Sequence, residues 1–400
     1  MLGQFGIGNF GNEATLAAAL EAVARVLPFD RVTTICPNPT RVEAQHGVPG
    51  VSIDGGGRLG RRTEGGRVRR LTLKPIREIA RWAFAVRHLR SIDVVVVPGT
   101  GILDDFGSGP AGLPLTVARW CAAARITGTR LMFLSIGAGP SSQRLSRFLM
   151  RFAAAQAEFC SYRDQGSRQF MESIGRRTTD DEVWPDLVFA LDRDPPEGRI
   201  TSSGPRVALG IMNYRGWRHV GVEADRIHES YVERMVALAT RLQAAGYELC
   251  LVTGDDYDLA AAEKVAKRLP DSSIQIVRSS DFDSLCAAVA NTHVLVSSRY
   301  HNLVAALVSA VPAVSLSYAD KNDELLESFG LGAYCQHIER FDIGVVLAHV
   351  EAILSDHGRL VVELRRRLAT ARSEARQLLD RQLSRPQVER ADRRPSERAA

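Results

Sequence analysis

The sequence predicts an α/β protein built as two Rossmann-like domains that face each other across a cleft. Three observations lead there. Short apolar runs alternate with amphipathic helical stretches along almost the whole chain, the pattern of parallel strands wound with helices on both faces. The chain has 400 residues, more than one hydrophobic core usually supports. Residues Asp192–Pro205, DRDPPEGRITSSGP, are polar, rich in Pro and Gly and without periodicity, so they read as a linker. One domain is therefore expected over 1–191, the linker at 192–205, a second domain over 206–383, and a disordered charged tail at 384–400.

Taken in order, a short N-terminal strand leads to a helix from about Glu13, and a second strand is read at Arg31–Ile35. Only five residues precede Gly6, so the first strand reads as clipped and a start upstream of Met1 stays open. Val94–Val97 ends in Pro98-Gly99, before a loop and a helix from about Leu115. Leu131–Ile136 ends in Gly137, with a further helix from near Ser141. In the second half Val207–Ile211, Glu248–Val252, Val294–Ser297 and Ala313–Leu316 repeat the device. Ligands in such folds collect at the carboxyl ends of the strands, so the turns after these strands are the places to look for chemistry.

Composition narrows the class of function. The hydrophobic fraction of 45% and charged fraction of 24% are those of a globular protein. A net charge of +5 favours anionic ligands or a membrane surface, yet is too small to imply nucleic acid, and no nucleic-acid motif accompanies it. Six scattered cysteines never form C-x-x-C and suit reduced core thiols, which points to the cytoplasm. No secretory leader and no apolar run long enough to span a bilayer are read. Gly55–Lys74, with arginines at 58, 61, 62, 67, 69 and 70, reads either as a solvated loop or as a contact for an anionic lipid carrier or membrane. A peripheral site at the inner membrane face, through Arg58–Arg70, is the sharper of the two.

Several turns carry candidate chemistry. Gly6-Ile7-Gly8-Asn9-Phe10-Gly11 opens a helix, where glycines let the backbone approach a phosphate or carboxylate. A dinucleotide site would place an acid at the end of the second strand, but Cys36-Pro37-Asn38-Pro39 stands there. Pro98–Asp105 puts Gly99 and Gly101 before the paired acids Asp104 and Asp105; a tight turn explains the glycines equally well, though not the acids. Ser135–Pro140, with Gly137, repeats the strand-then-glycine turn. Arg163 follows a short strand and offers a planar fork for a carboxylate or phosphate, while Asp164 is placed to cap the next helix.

The densest cluster is Ser297-Ser298-Arg299-Tyr300-His301-Asn302, closing one strand and opening one helix. Its helix N-terminus favours anions and keeps His301 neutral until one arrives, and a bound phosphate would raise its proton affinity as a general acid needs. Ser317–Lys321 ends the next strand and puts Lys321 on the same rim. Asn213, Arg215 and Trp217 follow another strand end and are candidates for shaping the choice of acceptor.

These motifs in this order resemble the polysaccharide pyruvyl transferase family. The family's Gly-Asn-x-Gly-Asp-Glu opening is similar to Gly8-Asn9-Phe10-Gly11-Asn12-Glu13, and its later elements resemble Gly99–Asp104, Ile136–Pro140, the R-D-x-x-S at Arg163, Asp164 and Ser167, and Ser297–His301 with Ser317–Lys321. Asn12 and Thr100 depart from the family's pattern. The resemblance implies a GT-B-like fold and transfer of a pyruvyl group from phosphoenolpyruvate to a sugar, closing a cyclic ketal. It implies Arg163 and Arg299 as the donor's anchors and His301 as the acid. It also implies substrate contacts at Gly8, Asn9, Gly11, Asn12, Gly99, Gly101, Gly137, Ser298 and Lys321, with Arg215 added from its strand end. Neither a cofactor nor a metal is required. Two other readings stay open: a GT-B glycosyltransferase using a nucleotide sugar, with Asp255 or Asp256 on the ribose, and a non-catalytic glycan-binding or scaffold member. The acceptor, its lipid or nucleotide linkage and the oligomeric state are not fixed by the sequence.

Overall fold

The computed structural model describes residues 1–55, 67–105, 108–193, 204–216, 219, 221–270 and 274–383, without the side chains of 67–74. The linker's residues 194–203, Trp217, the tail 384–400 and arginines 58, 61 and 62 lie outside the described residues.

Both halves are parallel sheets wound with helices, a GT-B-like arrangement of the kind the sequence predicts. In the first, α1 (Phe10–Ala24), β1 (Thr34–Cys36), α2 (Pro39–His46), β2 (Gly50–Ser52) and α3 (Arg67–Leu89) precede β3 (Val94–Pro98). Then come α4 (Leu113–Thr127), β4 (Arg130–Ile136), α5 (Arg144–Ala154), β5 (Phe159–Tyr162), α6 (Gln165–Ser173) and β6 (Glu182–Val183). The strands fall into a pair, β1-β2, and a sheet ordered β3-β4-β5-β6. Residues 1–3 join the two: Ile35 N donates to Met1 O (2.7 Å) and Leu2 N to Val96 O (2.8 Å). The short first strand thus lies at the centre of the half, where a doubly wound fold reverses its strand order.

In the second half β7 (Arg206–Gly210), α7 (Val222–Ala244), β8 (Glu248–Val252), α8 (Leu259–Ala266), β9 (Gln275–Val277) and α9 (Phe282–Ala290) come first. They are followed by β10 (Val294–Ser297), α10 (Tyr300–Val308), β11 (Ala313–Ser317), α11 (Asp320–Ser328), β12 (Cys335–His337), α12 (Ile343–Ser355) and α13 (His357–Leu383). The parallel order β12-β11-β10-β7-β8-β9 reverses between β7 and β10, and that crevice holds the densest polar cluster of the sequence. The inner strands are apolar because both faces are covered: Val207, Leu209, Leu295, Val296 and Val314 are all fully buried.

Helix α13 returns to the first half. Its Arg376 donates Nε to Ala190 O (3.2 Å), and Arg25, just after α1, pairs with Asp380 (3.4 Å). Leu187–Ala190, a short turn of the first half, is buried in the same apolar core as Leu368, Leu378 and Leu379. Among the described residues, no helix is long and apolar enough to cross a membrane.

Candidate functional site

Turns that follow strands in one half meet turns that follow strands in the other. Helix α1 begins three residues before the start expected near Glu13, because Asn9 caps it: Asn9 Oδ1 accepts from Asn12 N (3.1 Å). Asn9 also reaches across the cleft, Nδ2 to Asp255 Oδ2 (3.2 Å), and Phe10 N donates to Gly254 O (3.4 Å). Gly8 lies against the side chain of Asp256. The Asn12 side chain turns back to its own half, donating to Gln4 O (3.0 Å).

His301, in the first turn of α10, lies directly on Gly11. A Cβ at position 11 would fall 1.9–2.2 Å from the imidazole atoms, so only glycine admits the ring there. Among the described residues the buried Nε2 of His301 has no hydrogen-bond partner. Burial, followed by the positive charges of Arg163, Lys321 and Arg299, holds its pKa well below the ordinary histidine value. At neutral pH the free site therefore holds a neutral imidazole. An anion that offsets those cations would draw a proton onto it.

Arg163 enters from the end of β5 and is fixed from three sides. Its Nη1 donates to the buried Asp186 (3.3 Å), its Nε lies 3.5 Å from Asp164, and its guanidinium covers the Tyr300 ring at 4.1 Å. Gly137 leaves room for it, since a Cβ there would stand 2.9 Å from Arg163 Nη2. Asp164 caps α6 through Ser167 N (2.6 Å), as its sequence position predicts. Lys321 approaches from the other half, its Nζ 6.0 Å from the Tyr300 ring and 5.0 Å from the Tyr318 ring. Both cations thus share one aromatic neighbour, and Tyr300 packs edge-on against His301 at 5.2 Å.

Arg299 is held by a two-pronged bond to Asp258, with Nε and Nη2 each 2.7 Å from a carboxylate oxygen. Burial is the largest single influence and opposes its charge, but Asp258, with Asp255 and Tyr318 behind it, keeps the pKa raised. One edge of the guanidinium is therefore committed to the protein. Only the opposite edge is left to meet a ligand. Ser298 is fully buried and its carbonyl accepts from Asn322 Nδ2 (2.9 Å).

The glycine turns of the first half are stitched together: Gly137 N donates to Thr100 O (3.0 Å) and Gly139 N to Leu103 O (2.8 Å). Gly99 backs onto Thr15, and Gly101 lies beside Asp104. Arg215 does not join the cluster; Asp225 and the Asn213 side chain engage its guanidinium. Asp186 and Asp258, the buried partners of the two arginines, were not legible in the sequence. Each comes from a short turn, and the only local signal is a capping position before a helical turn. A cleft of about 800 Å³ opens between the halves onto Arg163, Tyr300, Lys321 and Glu324. Glu324 crosses it, accepting from Gly166 N at the start of α6 (3.0 Å). Among the described residues, no group of three His, Cys, Asp or Glu side chains is arranged to hold a metal.

The fold is shared with several solved structures. Anabaena HepE in complex with UDP-glucose is similar at 12% identity and a TM-score of 0.60, over 96% of this chain and 97% of that one. The UDP-GlcNAc 2-epimerase from Neisseria meningitidis bound to UDP-GlcNAc shares 9% identity, with a TM-score of 0.58 over 95% and 98%. The spinosyn rhamnosyltransferase SpnG shares 12%, with a TM-score of 0.52 over 95% and 99%. No curated protein matches the chain. In sequence, the model of a family described as polysaccharide pyruvyl transferase matches residues 9–320.

Proposed function

Since this chain belongs to the polysaccharide pyruvyl transferase family, we propose that it moves the pyruvyl group of phosphoenolpyruvate onto two hydroxyls of a sugar. The observation that carries this reading is the place of His301: against Gly11, its Nε2 without a hydrogen-bond partner among the described residues, and near Arg163, Arg299 and Lys321, whose charges with burial hold its pKa well below the ordinary value. A donor bearing both a phosphate and a carboxylate suits three cations, and a site that gains proton affinity on binding it suits acid catalysis. Arg163 and Arg299 hold the two anionic groups, with Lys321 beside them. Gly8, Asn9, Gly11, Asn12, Gly99, Gly101, Gly137 and Ser298 supply the backbone and small side chains around the donor and the sugar. A direct contact from Arg215 would require it to leave Asp225, so it is placed at the margin.

His301 gives its proton to the donor's methylene carbon, which becomes the methyl group. Positive charge develops at the neighbouring carbon, and a sugar hydroxyl adds there. The bond from that carbon to the phosphate oxygen breaks, and the second hydroxyl closes the ketal. Each hydroxyl loses one proton: one restores His301 and the other leaves on phosphate. The acceptor is a sugar of a polysaccharide or its precursor, and a lipid-linked form would bring the chain to the inner membrane face, where Arg58–Arg70 was expected to help. The nucleotide-sugar alternative is less well supported. Asp255 is engaged by Asn9 and Tyr257 N, and Asp256 by Arg41.

Arg299 offers the test of donor anchoring. Arg299→Ala leaves the buried Asp258 without its arginine and with the Asn213 N–H (2.8 Å) still donating to it, and loss of the charged partner costs about 3–5 kcal/mol in comparable pairs. Arg299→Lys keeps a positive charge but loses the fork, so it is expected to fold and to bind phosphoenolpyruvate at least tenfold more weakly by calorimetry. Unchanged donor affinity in a folded Arg299→Lys protein would remove Arg299 from the donor site.

A further inference from the structure

Helices α3, α4 and α5 pack side by side over β3–β5, and their outer face has a composition that the transfer chemistry does not use. By sequence these three helices hold 12 Lys/Arg, of which Arg119 is buried, and one acid, Glu78, while the rest of the chain holds 39 Lys/Arg and 45 Asp/Glu. The positive charge of the protein is therefore concentrated here, and the remainder is net acidic. Glu78 is itself taken up by Arg119 (2.8 Å) and Arg81 (3.5 Å).

The same face carries apolar side chains in water. Among the described residues six Ile, Leu or Phe side chains are strongly exposed, and five of them are here: Ile76, Ile79, Ile126, Leu145 and Phe148. In α5 the inward positions are Ser146, Met150, Ala153 and Ala154. Leu145 and Phe148 point outward among the exposed Arg144, Arg147 and Arg151, with the Arg151 guanidinium 6.0 Å from the Phe148 ring. Single exposed apolar residues need no explanation, but a shared layer of them interleaved with arginines does.

We propose that this layer docks on an anionic phospholipid bilayer. Apolar tips of this kind enter the headgroup–acyl boundary, while guanidinium groups meet the lipid phosphates. A second copy of the chain fits less well, because a two-fold contact would set arginines against arginines with no free acid on the layer to pair them. The surface also reaches the reaction site. Helix α5 starts at Arg144, four residues beyond the Pro140 that closes the Gly137 turn beside Arg163. A sugar carried on a lipid would be presented at that rim. The docking surface stands on charge and exposure, independent of the transfer chemistry.

Co-sedimentation of the full chain with vesicles tests it, using phosphatidylcholine alone and phosphatidylcholine with about one third phosphatidylglycerol. Binding is expected to the anionic vesicles and to fall away on the neutral ones. Each arginine replaced by Gln should weaken it roughly fivefold, so the Arg144/Arg147/Arg151 triple variant should bind on the order of a hundredfold more weakly. Leu145→Ser with Phe148→Ser should also weaken it, with thermal stability unchanged because both side chains are exposed. Equal binding of the wild-type and triple-variant proteins would overturn the proposal. So would a wild-type dimer, by sedimentation, that the Leu145/Phe148 variant splits into monomers.

Discussion

His301→Gln is expected to lower pyruvyl transfer by roughly 10²–10⁴-fold, the range that a positioned general acid contributes. The same change should leave folding intact, because the buried Nε2 it removes has no hydrogen-bond partner among the described residues to lose. Donor affinity should fall only by what the linked proton on His301 contributes, since Arg163, Arg299 and Lys321 all remain. That combination separates a catalytic acid from a structural cap. A cap would lose stability, whereas an acid loses turnover alone. The check is kcat and KM for phosphoenolpyruvate beside a thermal unfolding curve.

Gly11→Ala should cost nearly as much by a different route. The added methyl would occupy space that the imidazole of His301 fills, at 1.9–2.2 Å from its ring atoms. Either α1 withdraws, loosening the contact between the halves, or the ring leaves its place. A displacement of about 1 Å at a reacting group can cost on the order of 100-fold in rate. Overpacking of this kind also destabilises by about 1–3 kcal/mol. Both penalties should shrink when His301→Ala is already present, because the ring that meets the new methyl is gone. A double-mutant cycle in stability therefore gives a clear non-additive term. Additive effects would mean that Gly11 and His301 do not share the space.

Much of this arrangement could be read from residue order. Strands ending in Pro98-Gly99, in Ile136-Gly137 and in Ser297-Ser298 put their turns where a doubly wound fold binds ligands. Arg163, Arg299, His301 and Lys321 follow strand ends in the same way. Local chemistry also sets the start of α1: the Asn9 cap places it at Phe10, three residues before the expected Glu13. What stayed hidden depends on the tertiary fold. Asp258 and Asp186 matter because they are buried next to an arginine from a distant strand, and nothing in their immediate neighbours records that. Helix α13 has a regular amphipathic period, which shows that one face is covered but not that Leu187–Ala190 of the other half covers part of it. Arg215 follows a strand end as a ligand group would, yet Asp225, ten residues further on, claims its charge.

The most direct test of the account is calorimetric titration of phosphoenolpyruvate near pH 7.5 in two buffers of different ionisation enthalpy. The free site holds His301 neutral, its pKa depressed by burial and by the three nearby cations. Donor charge should reverse the second of these influences, so binding is expected with net proton uptake from the buffer. In His301→Gln the donor should still bind and the uptake should disappear. Donor binding with the same proton uptake in both proteins, or no donor binding at all, would contradict the assignment of His301 as the acid of an anionic-donor site.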